Sequence, residues 1–573
     1  MGKLRSLLKL KPFLQKYKLL LCFALIGILL SSIVSIPVPY IIGKIMDDVL
    51  VGNKSFKEFY FYIGIIAILY ILKYLISIVS SYLSSKFNIF VSNELRFVLI
   101  DKIMNLPMNY LGNVEKGYLQ GRISECTSIT SSFSTNILSA LLNIVNVILS
   151  ILAMFAMNSK LTITVLILIP LFFIIAKVST NELTENTKKM LEASANLNGE
   201  CFEIINGIED IKVLNGKAHN LTNYKKKLDH FIKITLKRNK ITILLTQNIT
   251  GANDFGTLLI LLIAGILIIK GQFTVGLYTA FSLYSGKIFA STQFLANIGP
   301  SLTQACLSIE RVFELIEMDD ENKSKNQYLN EKIESINLEN VTFKYKNNIN
   351  NVLDSLNFEI HKGEKVLISG ENGAGKSTLI KLLAGLYEPI EGRILYNNLD
   401  LATIYKESLR KRIGIVSQNI FLFKGTVLDN ILYGQNEKKR KDVEKLIIEL
   451  NLEHYISRLP KGLDSEIIQN NNGISGGQTQ VIAFIRAIIS NKDVIILDEP
   501  ISNVDVETRN IILNILKETN FDGILIIISH FTEGMDFINK TIKIDKNHKV
   551  ELEEQVEESF LTKEMCLEIA ARI

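Results

Sequence analysis

Apolar residues crowd the first 310 positions of the chain. They form six long runs there, at 19–43, 59–82, 135–157, 161–178, 242–269 and 275–299. Each is roughly 18–28 residues long, enough for a helix rising 1.5 Å per residue to cross about 30 Å of hydrocarbon. A single run of this kind suits a buried core helix in a soluble protein. Six in succession predict a membrane-spanning helical domain. The polar stretches between them are unequal: 47–58, 158–160 and 270–273 are short, whereas 83–134 and 179–241 are long. The long ones keep helical spacing of apolar residues, as in NELRFVLIDKIMNLP and CFEIINGIEDIKVL, so the helices are expected to run well past the bilayer. Pro107 and Gly117 interrupt the first and Gly216 the second, and each break can seat a short helix across the tip.

Beyond residue 333 the pattern changes. The stretch 318–333 is polar and reads as a linker. Strand-like runs then alternate with helical ones: SINLENVTFKY, GEKVLISG, RIGIVSQ, VIILDEP and ILIIIS. This alternation predicts a mostly parallel sheet wrapped by helices. The expected organisation is a transmembrane helical domain over 1–317, a linker over 318–333 and an α/β domain over 334–573.

Charge orients the first domain. The N-terminus carries Lys3, Arg5, Lys9, Lys11, Lys16 and Lys18, and 179–241 carries eleven further Lys and Arg residues, Lys188 to Lys240. Positive loops stay inside, which places both termini in the cytoplasm of a multi-pass plasma-membrane protein. The whole-chain charge of +5 is small and scattered, and excludes nucleic acid as an expected partner. Membrane lipid is the expected surrounding. The basic start followed by LLLCFALIGILLSSIVSIPV resembles a signal peptide, but the run is too long and lacks a cleavage site, so it is expected to be retained. Met1-Gly2 with Ser6 fits a myristoylation pattern that a polytopic chain does not need. Five dispersed cysteines without CxxC spacing predict reduced thiols and no cysteine metal site.

Three ionisable residues fall at similar depth inside spans: Lys73, Asp254 and Lys287. At 1.5 Å per residue they lie roughly 18–22 Å below the outer surface. The expectation is that Asp254 pairs with Lys287 or Lys73 around an aqueous cavity, against solvation of helix extensions as the alternative. Asn143, Asn146, Gln247, Asn248, Asn253 and Gln293 either line such a cavity or bond between helices.

The chemistry sits in the second domain. VLISG leads into Gly370-Glu371-Asn372-Gly373-Ala374-Gly375-Lys376-Ser377-Thr378, the strand, glycine loop and helix that a phosphate loop requires. Small residues let backbone N–H groups turn in around phosphate oxygens, and the helix N-terminus adds its positive end. Lys376 can reach the β- and γ-phosphates of a nucleoside triphosphate, and Ser377 can hold Mg2+. Farther on, four apolar residues end in Asp498 and Glu499, acids at the carboxyl end of a buried strand. Asp498 is placed to hold Mg2+ through water and Glu499 to polarise an attacking water.

With Ile474-Ser475-Gly476-Gly477-Gln478 between them, these motifs resemble an ATP-binding cassette. The order, membrane part first, resembles an ABC exporter half-transporter over nearly the whole chain. The resemblance implies ATP and Mg2+ as ligands and further roles. Tyr345 stacks on adenine, and Gln418 senses Mg2+ and the membrane part. Ser475, Gly476, Gly477 and Gln478 cap the γ-phosphate bound to a partner subunit. Asp505 links the two sites, and His530 contacts the γ-phosphate. It also implies that the segments 107–118 and 205–218 touch cassettes, the second across to the partner.

The chain departs from the family pattern at four places: Ile474, Thr479-Gln480-Val481 where basic residues are usual, Gln469 to Asn472, and Phe531-Thr532 after His530. The implied activity is ATP-driven export by a dimer. Homodimer and heterodimer, and a small or modified peptide, a lipid or an amphipathic drug as substrate, stay open. So does an ATP-gated regulatory or channel-like role. No peptidase-sized N-terminal domain precedes the first span, so leader-peptide cleavage is not expected. Heavy use of Lys, Asn and Ile points to a bacterium.

Overall fold

The computed structural model describes residues 6–52, 56–114, 116–132, 137–346, 348–435, 437–467, 474–501, 504–518, 521–530, 533–545 and 549–554. The chain divides into two units, Met1–Met104 with Val114–Met318, and Asn105–Asn113 with Asp319–Ile573.

Six long helices run through the described part of the first unit: α1 Lys18–Ser35, α2 Phe56–Met104, α3 Ser139–Met157, α4 Ser159–Asn206, α5 Lys217–Ile269 and α6 Val275–Ile316. Four are long and apolar enough to cross a membrane: α1 with its continuation to Val51, α2, α3 and α5. The expected spans 161–178 and 275–299 fall within α4 and α6. In α4 the apolar part is the shorter Ser159–Ile175, and in α6 Ser, Thr, Gly and Lys287 dilute the hydropathy. Helices of 42 to 53 residues far exceed the ~20 that a bilayer needs. The breaks at Pro107 and Gly216 fall where expected, whereas Gly117 lies in the first turn of the helix Lys116–Ser132 and does not interrupt it. Pro107 is extended between helices, and Gly207 and Gly216 bracket a short helix at Ile208–Val213.

The helix Pro37–Lys44, which continues α1, packs on α6 through glycine. A Cβ at Gly276 would stand 2.1 Å from the Gly43 carbonyl oxygen, and one at Gly43 would stand 2.6 Å from that of Gly276. Asp47 closes this contact. Its carboxylate accepts the Gly276 N–H (2.6 Å) and the Thr274 hydroxyl (2.5 Å) at the start of α6.

Lys287 does not pair with Asp254: among the described residues no ion pair joins Asp254 to Lys287 or Lys73. Instead the Lys287 ammonium donates to the Ser35 carbonyl at 2.9 Å. That carbonyl would ordinarily accept from the N–H of residue 39, and residue 39 is a proline. The lysine answers a backbone acceptor freed in a setting without water. Gln293 donates to Thr250, a bond between α6 and α5, while Asn143 donates back to Ser139 in its own helix.

The second unit holds a two-stranded sheet, β7 Gly425–Thr426 with β8 Glu466–Ile467, and two larger sheets. One is antiparallel, ordered β2-β1-β4-β5, from β1 Ser335–Phe343, β2 Leu353–His361, β4 Glu391–Tyr396 and β5 Leu399–Asp400. The other is ordered β12-β11-β3-β10-β9-β6, from β3 Lys365–Gly370, β6 Ile413–Val416, β9 Val494–Asp498, β10 Ile524–Ile528, β11 Lys540–Ile544 and β12 Val550–Glu554. It is parallel except at its β12 edge. The run at 335–345, expected within one mostly parallel sheet, lies instead in the antiparallel one. The link from β1 to β2 is too short for the crossover that parallel pairing needs.

Every residue of β9 and β10 is buried, because both faces of this sheet are covered. Alternate residues serve two cores. Val366, Ile368, Val494 and Ile496 face one with the helix α7, Lys376–Leu383. Leu367, Ile495 and Leu497 face the other with α8, Gly476–Ile489, and α9, Val506–Glu518.

The polar stretch before β1 lies packed on this unit. Leu329 and Ile333 are buried in its core, and Glu321 takes a forked pair of bonds from Arg410 at 2.7 and 2.8 Å. The short helix Met108–Leu111 also belongs here. Met108 packs against the core, and the Asn105 carbonyl accepts the Glu321 N–H at 2.9 Å.

The glycine contact gives a direct test. Gly276→Ala is expected to destabilise the membrane unit by at least ~2 kcal/mol through overpacking, seen as a lower unfolding midpoint in detergent. Gly265→Ala, where a Cβ meets nothing within 4 Å, is expected to leave the midpoint in place.

Candidate nucleotide site

The strand order β3-β10-β9-β6 sets four chain segments side by side at the carboxyl ends of parallel strands, where open α/β sheets bind ligands. The first is the glycine loop after β3. Its backbone is left-handed at Gly373 (φ +87°) and Gly375 (φ +99°). At Gly370 a Cβ would stand 2.5 Å from the Ile544 carbonyl, and at Gly375 2.6 Å from that of Val352. Only glycine fits both shape and space. Glu371, Asn372 and Gly373 form the exposed tip, Ala374 is buried, Ser377 is exposed and Thr378 is buried.

Lys376 is 7% exposed and folds back over the loop, donating to the Gly370 (2.7 Å) and Glu371 (2.9 Å) carbonyls. Burial holds its amine below the usual lysine range, opposed by the nearby charges of Glu499 and Asp498. The other three strand ends supply its neighbours. His530, after β10, places Nε2 at 3.2 Å from Lys376 Nζ and 3.4 Å from Glu499 Oε1. Glu499, after β9, has a left-handed backbone (φ +51°) and donates its N–H to the Ile528 carbonyl at the end of β10. Gln418, after β6, donates to Glu499 Oε2 at 3.0 Å. Asp498 is 8% exposed, and burial followed by the Glu499 charge pushes its carboxyl above the usual range.

A buried cation, a buried acid and a left-handed glutamate held between an amide and an imidazole thus converge on the loop. Backbone strain at a residue such as Glu499 is a mark of functional sites. The set fits a phosphate chain with a divalent cation: the loop offers backbone donors, and Asp498, Ser377 and Gln418 offer oxygens.

Tyr345 is half-buried. Its hydroxyl shares a hydrogen bond with Thr378 Oγ1 (3.0 Å), and its ring meets Phe343 and Tyr387 edge-on at 5.1 and 5.5 Å. The Lys381 ammonium lies 5.7 Å from its centroid.

The second motif stands apart on α8, in the other core. Ser475 caps this helix: its hydroxyl accepts the Gln478 N–H (3.2 Å), while Gln478 Oε1 accepts the Ser475 N–H (3.0 Å). A Cβ at Gly477 would lie 3.7 Å from Asp505 Oδ2. Asp505 caps α9, accepting the Thr508 N–H and hydroxyl at 2.8 and 3.0 Å, and these bonds hold its carboxyl below the usual range. Ser475, Gly476, Gly477, Gln478 and Asp505 therefore form one group, distinct from that around Lys376. Thr479, Gln480 and Val481, which replace the family's basic residues, are all buried. Gln469 to Asn472 and Phe531-Thr532 lie outside the described residues. Tyr387 escaped sequence reasoning, since one tyrosine in a turn carries no periodic or motif signal.

Comparison with known proteins accords with this geometry. Residues 21–292 match the model of the ABC transporter transmembrane region, and residues 353–502 match a second model, that of the ABC transporter. The chain belongs to the ABC transporters, in the form that fuses both parts on one polypeptide, and is an ATPase coupled to transmembrane transport. It is 27% identical to the ABC transporter ATP-binding protein YfiC of Bacillus subtilis, over 95% of this chain and 91% of that one. It is 26% identical to YgaD of the same organism, provisionally named a multidrug export ATP-binding/permease protein, over 94% of each. Its fold matches that of a bacterial Atm1-family ABC exporter solved with ATP bound, with TM-score 0.84, 21% identity and 98% of each chain covered.

At the loop, Gly375→Ala is expected to abolish measurable ATP binding, because the new Cβ meets a carbonyl. Gly363→Ala, with φ +85° but no neighbour within 4 Å, should cost about 1 kcal/mol of stability and leave binding unchanged in a fluorescent-nucleotide displacement assay.

Proposed function

We propose that two copies of this chain, or this chain and a second half-transporter, export a substrate from the cytoplasm across a bacterial plasma membrane. Each of two ATP molecules lies between the Gly370–Thr378 loop of one chain and the Ser475–Gln478 segment of the other. The observation that carries this reading is the contact chain Lys376–His530–Glu499–Gln418 across four adjacent strand ends.

In this reading Lys376 exchanges its loop carbonyls for β- and γ-phosphate oxygens, and Tyr345 supports the adenine. Ser377, Gln418 and Asp498 hold Mg2+, which neutralises charge on the phosphates. Glu499 accepts the proton of the attacking water, with its carboxylate aimed by Gln418 and its backbone fixed to the end of β10. His530 presents Nε2 to the γ-phosphate. Ser475 and the N-terminus of α8 offer donors to an anion delivered from the partner. Asp505, beside Gly477, ties the capping segment to α9 and so to the opposite site. ATP acts as a ligand that favours the closed pair of cassettes, and its hydrolysis reopens them.

Basic inner loops support cytoplasmic termini. The short helix 108–111 supports cassette contact within the chain, and 205–218 is assigned to the partner's cassette. The relatives' naming for multidrug export favours an amphipathic drug over a peptide or lipid.

The test uses the full chain in proteoliposomes. Vanadate-sensitive ATP turnover should accompany uphill movement of an amphipathic dye such as Hoechst 33342. Glu499→Gln should cut turnover by about 10²–10⁴-fold while keeping ATP binding, and ATP should then allow cysteines placed at 372 and 474, which leave Lys376 and Ser475 intact, to cross-link between chains. Unchanged turnover in Glu499→Gln would refute the mechanism. ATP-dependent flux that never runs uphill would make the protein an ATP-gated conductor instead of a pump.

A further inference from the structure

Beyond the membrane-spanning part of the first unit, α4, α5 and the start of the helix Lys116–Ser132 line a crevice of about 1080 Å³. The apolar part of α4 ends at Ile175. Ala193, the first residue of α4 to line the crevice, lies roughly 27 Å further on at 1.5 Å per residue. Small residues make the room. A Cβ at Gly199, in the interior of α4, or at Gly117 would meet nothing within 4 Å. Glycine weakens a helix interior relative to alanine, and at 199 no close neighbour demands it.

The charges on the walls do not balance within the chain. Glu200, with a side chain 11% exposed, is held by Lys227 in an ion pair that joins α4 to α5. Lys116, Lys226 and His230 line the same crevice, and among the described residues none of the three pairs with an acid. Lys226 and His230 stand four residues apart on α5 and so share a face. Against them the lining sets one further acid, Glu203.

Two amines on separate helices are satisfied together only by a ligand with two negative groups. A monovalent anion leaves one of them over. The distance from the apolar part of α4 excludes a lipid head group, since the head-group layer is only about 5–8 Å deep. The ligand is therefore a water-soluble molecule. A concave lining with a few polar groups from several elements suits a compact molecule better than an extended surface.

We infer that this crevice binds a small multivalent anion from the cytoplasm, a polycarboxylate or a polyphosphate, between Lys116 and the Lys226–His230 face of α5. Glu203 opposes the ligand and limits its affinity. Among the described residues no ion pair joins the helix Lys116–Ser132 to α4 or α5, so the ligand supplies a bridge that the chain itself lacks. The inference goes beyond the export reading and takes from it only the inside placement of these helices.

The test is titration calorimetry of the full, nucleotide-free chain in nanodiscs of neutral lipid, with tricarballylate as the first probe. One ligand per chain should bind, and more weakly as salt rises. Acetate, with a single charge, should give no saturable heat. Tripolyphosphate is the second probe, titrated into Gly375→Ala so that the nucleotide loop does not contribute. The tighter of the two names the source of the anion. Lys116→Gln and Lys226→Gln should each weaken binding about 10-fold. Glu203→Gln should tighten it about 3- to 5-fold, a gain that misfolding does not produce.

Gly199→Phe, which fills open space from within a helix, should abolish binding and leave the unfolding midpoint in place. No saturable heat from either probe would overturn the proposal, as it would if the second chain of a dimer filled the crevice. Equal binding of acetate would overturn it too. So would an affinity unchanged in both Lys116→Gln and Lys226→Gln, or in Gly199→Phe. The titrations contain no ATP, so a chain that bound the anion yet moved no substrate would sink the export reading alone.

Discussion

The site depends on the lateral order of four parallel strands. Because β3, β10, β9 and β6 are neighbours, the residues that follow each of them emerge about one strand spacing apart. Lys376, His530, Glu499 and Gln418 then fall into contact in that same order. Parallel pairing is essential here, since only it brings every carboxyl end to one edge. The sheet in turn needs both faces covered, which the two separate cores supply. The apolar runs VIILD and ILIII are therefore as much a part of the chemistry as the acids that end them.

Burial at that edge sets the charge balance. Lys376 and Asp498 are both more than nine-tenths buried, and desolvation pushes each toward its neutral form. A polyphosphate with a divalent cation supplies opposite charges to both groups at once, so the site is arranged to favour such a ligand. The loop carbonyls that Lys376 now engages serve as placeholders for acceptors of the same geometry. The second motif works differently. Its serine and glutamine are spent on capping α8, which fixes the helix start as a rigid donor surface.

The membrane unit meets a different constraint, the absence of water. Its polar groups largely serve the backbone. Lys287 takes the carbonyl that Pro39 strands, Asp47 takes the N–H of Gly276, and serines and threonines bond back within their helices. Depth along a helix, the only quantity that spacing offers, placed Asp254 and Lys287 at one level. It could not say which face each residue occupies, and the expected pair does not form.

Much was legible beforehand because the chemistry restricts the alphabet. A phosphate loop demands glycines with left-handed backbone, a buried strand demands an apolar run, and a bilayer demands about twenty apolar residues per crossing. Those demands let the sequence by itself determine the two-part architecture, the loop at Gly370–Thr378 and the acids at 498 and 499. Tertiary structure alone decided which residues meet. It moved 335–345 into an antiparallel sheet, seated the polar stretch before β1 on the cassette, and buried Thr479, Gln480 and Val481. The physical reason is that local demands act on residue type, whereas lateral strand order and helix rotation are fixed by packing between segments hundreds of residues apart, which leaves no periodic trace along the chain.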